Sequence, residues 1–258
     1  HVWDESMIGL SIEEAVKKIR WPKWSKVTLT YLHGEKYEVK KTDAIRDTII
    51  IPSTYEKILT WGTIGYMEVA FFGEHTEREF ATSLKNLTNS WAKAIILDFR
   101  NNGGGYLDSA VGLLSFLLDP GSTAVITREN DPTKTEKYTT TEVVWWERKV
   151  PIVMIINNLS ASATEIVAWA LQDYSRAVII GEKSYGKGSV QTPFILSDGS
   201  MLKITTGRWY TPKDRSIDKS AITPDILVPL TEKDIFGWYD RQLEWAKKII
   251  ERLMKWES

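Results

Sequence analysis

The sequence predicts an α/β protein whose sheet is covered on both faces, preceded by a small α+β piece. Two observations carry this. Ala94–Phe99, Pro151–Ile156 and Ala177–Ile180 are short, almost wholly apolar runs, with the length and character of strands buried on both sides. They alternate with helical patterns at about Thr76–Asn89, at Leu107–Leu118, and from the Ser160–Ala163 segment to about Tyr174. That alternation is the rhythm of strands joined by crossover helices.

Residues 1–45 read as a separate fragment. Ser11-Ile12-Glu13-Glu14 has capping-box spacing and opens a short helix through Arg20. Val27–Leu32 alternates as a strand, His33-Gly34-Glu35 turns the chain, and a second strand lies near Tyr37–Val39. One helix and one hairpin bury too little surface to form a stable domain. Residues 46–60 read as a connector, and residues 61–258 as the main body. Within the body, Ile64–Ala70 is a strand, and Thr76-Glu77-Arg78-Glu79 is a second capping box. Val125–Arg128, Lys137–Thr140 and Met201–Thr206 are further strands, and Ile235–Lys255 is a C-terminal helix.

Composition narrows the chemistry. With 43% hydrophobic and 26% charged residues among 258, disordered and fibrous classes are excluded. Lys and Arg number 33 against 34 Asp and Glu, so no basic excess draws the chain to nucleic acid. The absence of Cys removes disulfides, thiolate chemistry and Cys-bound zinc. The three His (His1, His33, His75) are too scattered for a metal site, and no cofactor is expected. No apolar run approaches membrane-spanning length. The chain opens at His1 in mid-pattern, so we expect its natural N-terminus to lie upstream.

In open α/β sheets, sites form beyond the carboxyl ends of strands. Three such ends are unusual here. After Asp98, Asn101-Asn102-Gly103-Gly104-Gly105 can aim backbone N–H groups at an anion or a developing oxyanion, or serve as a tight turn. After Ile156, Ser160-Ala161-Ser162-Ala163 sets two serines at a helix start, where a cap or a nucleophile sits. After Ile180, Gly181–Lys187 nearly spells a P-loop. The residue that should bear a magnesium-binding hydroxyl is Gly188, however, and the chain then runs extended through Val190-Gln191-Thr192-Pro193-Phe194, which rules out the nucleotide reading. A serine nucleophile needs a base, and no His lies near these segments. Lysine is the substitute in Ser-Lys enzymes, provided a dry setting lowers its pKa. Gln191 can orient the amine without adding charge.

These loops, in this order, resemble the carboxyl-terminal processing (tail-specific) serine proteases of family S41. The resemblance runs from about Ile64 to Leu230. It is carried by Leu97–Asp108, Ser160–Asp173, Gly181–Thr192 and Ser197–Ser200, then by Tyr210-Thr211-Pro212 and Ile222-Thr223-Pro224-Asp225. It implies a crotonase/ClpP-like α/β core with a mixed sheet and flanking helices. It assigns Ser162 as nucleophile, Lys187 as general base and Gln191 as its partner. Gly104, one of three adjoining glycines, and Ala163 supply the oxyanion-hole N–H groups. Ser160 is a structural serine, and Asp173 supports the site. Residues 4–45 resemble the rear half of a PDZ domain, whose front half would lie upstream. The implied function is a serine endopeptidase cleaving proteins near apolar C-termini in the cell envelope or periplasm, with room for a membrane anchor before His1. The alternatives are a catalytically inactive pseudoprotease or peptide-binding module, and a crotonase-type acyl-CoA enzyme, which would not need paired Ser162 and Lys187.

Twelve tryptophans against sixteen glycines is a skewed ratio. Trp21, Trp24 and Trp169 stand where the resemblance puts glycine, and Trp91, Trp145, Trp146 and Trp256, with Trp3 and Trp61, are similarly out of place. A gene that uses UGA for glycine, translated with UGA as tryptophan, would give this pattern; a tryptophan-rich lineage is the alternative. As a true tryptophan, Trp169 is expected to crowd the helix that carries Ser162.

Overall fold

The protein is described from a computed structural model. It covers all residues except 21, 35–36, 60–62, 130, 132, 144–149, 219, 238 and 257–258. The chain divides into two compact units, His1–Ile51 and Pro52–Ser258.

The first unit holds helix α1 (Ile12–Ile19) and the hairpin of β1 (Lys26–His33) and β2 (Glu38–Ile45). The capping box at Ser11 forms: Glu14 N–H donates to Ser11 Oγ, and Ser11 N–H to the Glu14 carboxylate. The hairpin is antiparallel, with Lys26 opposite Ile45 and His33 opposite Glu38. Strand β2 is longer than the sequence pattern indicated, because its exposed Lys and Asp positions hide the alternation. Among the described residues of this unit only Val2 and Val27 are buried.

The second unit is built on a six-stranded mixed sheet. Its strands are β3 (Thr54–Leu59), β4 (Ile64–Val69), β5 (Ala94–Asp98), β8 (Ile152–Ile156), β9 (Val178–Gly181) and β12 (Ile226–Leu227). The order is β12-β9-β8-β5-β4-β3, parallel throughout except for β3, which runs against β4. Strand β3 falls in the segment read from sequence as a connector; it closes one edge of the sheet.

Alternation along the strands divides the core in two. Ile95 and Leu97 of β5, with Met154 and Ile156 of β8, face helices α2 (Thr76–Asn89), α3 (Leu107–Leu117) and α4 (Ala163–Asp173). Ala94 and Ile96, with Val153 and Ile155, face helix α6 (Arg241–Trp256) through Ala246, Ile249 and Ile250. A second, antiparallel sheet has the order β10-β11-β6-β7, from β6 (Thr123–Glu129), β7 (Thr135–Thr139), β10 (Ser189–Ile195) and β11 (Met201–Tyr210).

Two expectations change. The predicted capping box at Thr76 does not form. Thr76 Oγ1 instead accepts from Gly73 N–H at 2.8 Å, and the Glu79 carboxylate accepts from the Ser53 N–H and hydroxyl, both at 2.6 Å. The single C-terminal helix is two, α5 (Glu232–Phe236) and α6, with Asp240 accepting from Leu243 N–H to start the second.

The tryptophans bear on local strain. Trp3, Trp24 and Trp91 adopt positive φ, at 52°, 70° and 63°. Trp91 occupies the residue after the cap of α2: Trp91 N–H donates to Thr88 O, and Ala92 N–H to Leu87 O. That pair of bonds is a Schellman turn, whose left-handed position belongs to glycine because a Cβ there crowds the backbone. The indole of Trp91 is 83% exposed and offsets none of this cost. Trp169 is buried, with Arg215 4.3 Å above its ring and its Nε1–H unpartnered. Trp21, Trp61, Trp145 and Trp146 lie outside the described residues.

Replacing Trp91 with Gly is expected to raise stability by about 1 kcal/mol by removing the left-handed strain. The urea midpoint should move upward at constant m-value; an unchanged or lower midpoint refutes the strain.

Candidate active site

Strands β9, β8 and β5 are neighbours and parallel, so the three loops singled out in the sequence leave the same carboxyl end of the sheet side by side. Hydrogen bonds stitch them together. Asn102 is fully buried; its carbonyl accepts from Ala161 N–H and from the Thr164 hydroxyl, each at 3.0 Å, and its amide donates to Val69 O at 2.7 Å. Ser160 is also fully buried, donating to Phe99 O at 2.8 Å and accepting from Asn157 N–H at 3.0 Å. It is a structural serine, and its carbonyl accepts from Tyr185 N–H of the third loop.

Ser162 is the residue just before α4, with φ 57° and ψ −117°. A non-glycine residue holds this backbone only when its surroundings impose it, and a strained serine at a strand-to-helix turn is the geometry of a nucleophile elbow.

The constraint is Glu165, a charged side chain with no exposed surface, in the first turn of α4. Glu165 Oε2 accepts from Ser162 N–H at 2.9 Å and from Lys187 N–H at 2.8 Å. The two backbone nitrogens can therefore lie no farther apart than those two bonds allow. Glu165 Oε1 accepts from Gly186 N–H at 2.6 Å and from the Ser184 hydroxyl at 2.5 Å. Four donors satisfy the carboxylate, as a buried charge requires.

Gly104 lies against the serine turn. A Cβ on it would sit 2.7 Å from Ala161 O, 2.8 Å from Ser162 Cβ and 2.9 Å from Ala163 N, and its φ is +99°, so only glycine fits. The two candidate oxyanion donors are thus adjacent. They differ in state: Gly104 N–H donates to Asn102 Oδ1 at 2.9 Å, whereas Ala163 N–H has no partner among the described residues.

The structure therefore brings together the backbones of Ser162, Lys187, Ala163 and Gly104. It does not join the side chains. Among the described residues no hydrogen bond links Ser162 Oγ to Lys187 Nζ, and the Lys187 and Gln191 side chains are exposed and unbonded. The dry setting expected for the lysine is absent here, because Glu165 holds the loop by its main chain and leaves the side chain in solvent. Asp173 stands at the far end of α4, where it accepts from Lys213 N–H and pairs with Arg215.

Sequence reasoning passed over two features. Glu165 was signalled by the Ser-x-x-Glu spacing of Ser162–Glu165. The second is a cluster beneath the Gly104 loop. Arg100 bridges Asp98 and Asp240, reaches Gln242 Oε1 at 3.3 Å, and the Tyr66 hydroxyl donates to Asp98 at 2.8 Å. Burial, then the Asp98 charge, push the Tyr66 hydroxyl far above its ordinary pKa. Burial alone would raise the Asp240 carboxyl, but its bonds to Arg100 and to the Leu243 and Gln242 N–H groups together offset this and hold it below the usual carboxylate value. Among the described residues no cluster of His, Asp and Glu could hold a metal, and no helix is long and apolar enough to cross a membrane.

The signature of peptidase family S41 matches residues 63–228, and the chain belongs to that family. It is 34% identical over 224 residues to a CtpA-like serine protease of Staphylococcus epidermidis, covering 86% of this chain and 44% of that one. It is 37% identical over 231 residues to a carboxy-terminal-processing protease of Bartonella bacilliformis, covering 87% and 52%. The chain thus spans about half the length of these relatives. Among solved structures, a photosystem II D1 C-terminal processing protease superimposes with a TM-score of 0.62 at 26% identity, over 89% of this chain and 62% of that one.

Two outcomes are expected. Glu165→Gln presents an NH₂ group to backbone donors, so stability should fall by about 2 kcal/mol or more, and amide exchange at Gly186 and Lys187 should quicken more than in β5 and β8. Equal protection in both proteins overturns the role. Separately, the depressed pKa of Asp240 means its bridge contributes fully above the unfolded value of about 3.9 and is lost as pH falls below it. Urea titrations between neutral and acid pH should show a smaller acid loss for Asp240→Asn than for the native chain.

Proposed function

We propose that the chain is the proteolytic core of a serine endopeptidase that cleaves protein substrates near apolar C-termini, with Ser162 as nucleophile and Lys187 as general base. The observation that supports this best is the single buried carboxylate that holds the main chain of both residues, with the Gly104 and Ala163 amides beside the serine.

In this reading the neutral Lys187 amine takes the proton from Ser162 Oγ as the hydroxyl attacks the scissile carbonyl. Negative charge on the tetrahedral oxygen is received by Ala163 N–H and by Gly104 N–H, the latter leaving Asn102 Oδ1. The Lys187 ammonium then protonates the departing amine, giving an acyl-enzyme, and a water deprotonated by the same amine hydrolyses it. Substrate covering the exposed Lys187 supplies the dehydration that favours its neutral form, and Gln191 orients it without adding charge. The first unit is the rear part of a PDZ-like peptide-binding domain, consistent with its helix and hairpin, and the enzyme acts outside the cytoplasm.

A second reading is a pseudoprotease that binds peptides without cleaving them. The lack of a bond between Ser162 Oγ and Lys187 Nζ favours it, although catalytic bonds often tighten only when substrate is bound.

Cleavage of an unstructured protein ending in apolar residues separates the two. The chain should hydrolyse it, and Ser162→Ala and Lys187→Ala should each lower turnover by about 10³-fold or more without altering the far-UV circular dichroism. Turnover retained by either variant removes that residue from the mechanism; binding without turnover by the native chain establishes the pseudoprotease.

A further inference from the structure

The antiparallel sheet ends in an arm. Of β11, strand β6 pairs only with Gly207–Tyr210, so among the described residues the hairpin of β10 and β11 continues beyond Gly207 as two strands alone. Every residue from Pro193 to Thr205 is exposed, including Ile195 at 77% and Met201 at 59%. A bare two-stranded ribbon with apolar side chains invites a partner.

Its edges are poor places for one. Leu196 N–H donates to Ser200 O, which marks that pair as hydrogen-bonded; by alternation Pro193 and Lys203 form a non-bonded pair, with their main-chain groups turned outward. Pro193 has no N–H to offer on one edge, and Lys203 places a charge on the other. The faces remain. Opposed residues share a face, and successive residues alternate, so Gln191, Pro193 and Ile195 lie on one face with Met201, Lys203 and Thr205.

We infer that this face, from Pro193 to Ile195 and Met201, is an apolar subsite for the extended substrate chain. It takes an apolar side chain about four residues from the scissile bond. The inference rests on the protease reading above. What selects an extended polypeptide as the occupant is continuity: the face is shared with Gln191, the proposed partner of Lys187, and β10 begins two residues after that lysine. At about 3.3 Å per residue, Ile195 lies about 13 Å along the strand from Gln191, which an extended substrate covers in about four residues. A chain leaving Ser162 along β10 lays alternate side chains on this face, while Lys203 beside them disfavours cationic ones.

The test uses the full chain and a peptide substrate long enough to reach Ile195, with Leu or Asp placed at successive positions on either side of the scissile bond. A truncated peptide that ends short of the arm is the control. Ile195→Asp and Met201→Asp, checked for native circular dichroism, should each raise KM for the long Leu peptide about tenfold, leave kcat unchanged, and leave the truncated peptide unaffected. Combined with Ser162→Ala, they should weaken binding of the long peptide in fluorescence anisotropy by a similar factor. Native KM in both variants overturns the subsite, as does an equal loss on long and truncated peptides. If the variants keep native KM but abolish self-association in sedimentation, the face joins two copies instead. If the native chain cleaves nothing yet binds the long peptide in a manner that depends on Leu and on Ile195, the protease reading falls and the subsite stands.

Discussion

The Glu165 carboxylate is the constraint on which the site depends. It is buried, charged, and satisfied only by groups from the two segments it must align. Its position in the first turn of α4 couples those segments to a helix packed on the central sheet, so the placement of the Ser162 and Lys187 main chain is inherited from the core rather than from the loops. A lone buried carboxylate would be strongly unfavourable, and the free energy that avoids this is the same that holds the Ser162 turn in its unusual backbone.

The sheet does the coarser positioning. Parallel order places three loops at one end of the strands, and Asn102 and Ser160, both without solvent contact, tie each loop to the next. Beneath them, Arg100 connects the strand end at Asp98 to Asp240 at the start of α6. Helices on opposite faces of the sheet thus meet around one site: α4 carries the serine, and α6 anchors the floor of the glycine loop.

Much of this was legible in the chain itself. The apolar runs of β5, β8 and β9 announce buried parallel strands because burial on both faces leaves no alternation to confuse them. The three loops stand out because glycines, a pair of helix-start serines and a lysine fall at successive strand ends; each alone reads as a turn, a cap or a solvated charge, and the choice of Ser162 and Lys187 comes from the family resemblance. Strand β3 was missed since an edge strand needs only one apolar face, and Thr54–Leu59 mixes Glu and Lys into it. The Thr76 box had correct spacing, but its Glu79 finds better donors at Ser53, which is distant in sequence. The same limit hid the Lys187 partnership of Glu165: spacing reveals local bonds, and this one spans 22 positions. The exposure of Lys187 was likewise invisible, because it depends on which part of the loop the carboxylate grips.

The pairing of Gly104 N–H with Asn102 Oδ1 carries a kinetic consequence. A neutral carbonyl arriving beside Gly104 is no better an acceptor than the amide oxygen already there, so it has nothing to gain by displacing it. An alkoxide is a stronger acceptor by roughly a factor of two. On the proposed chemistry, that N–H is therefore withheld from the ground state and released to the charged intermediate, so its binding energy lowers the barrier without tightening the Michaelis complex.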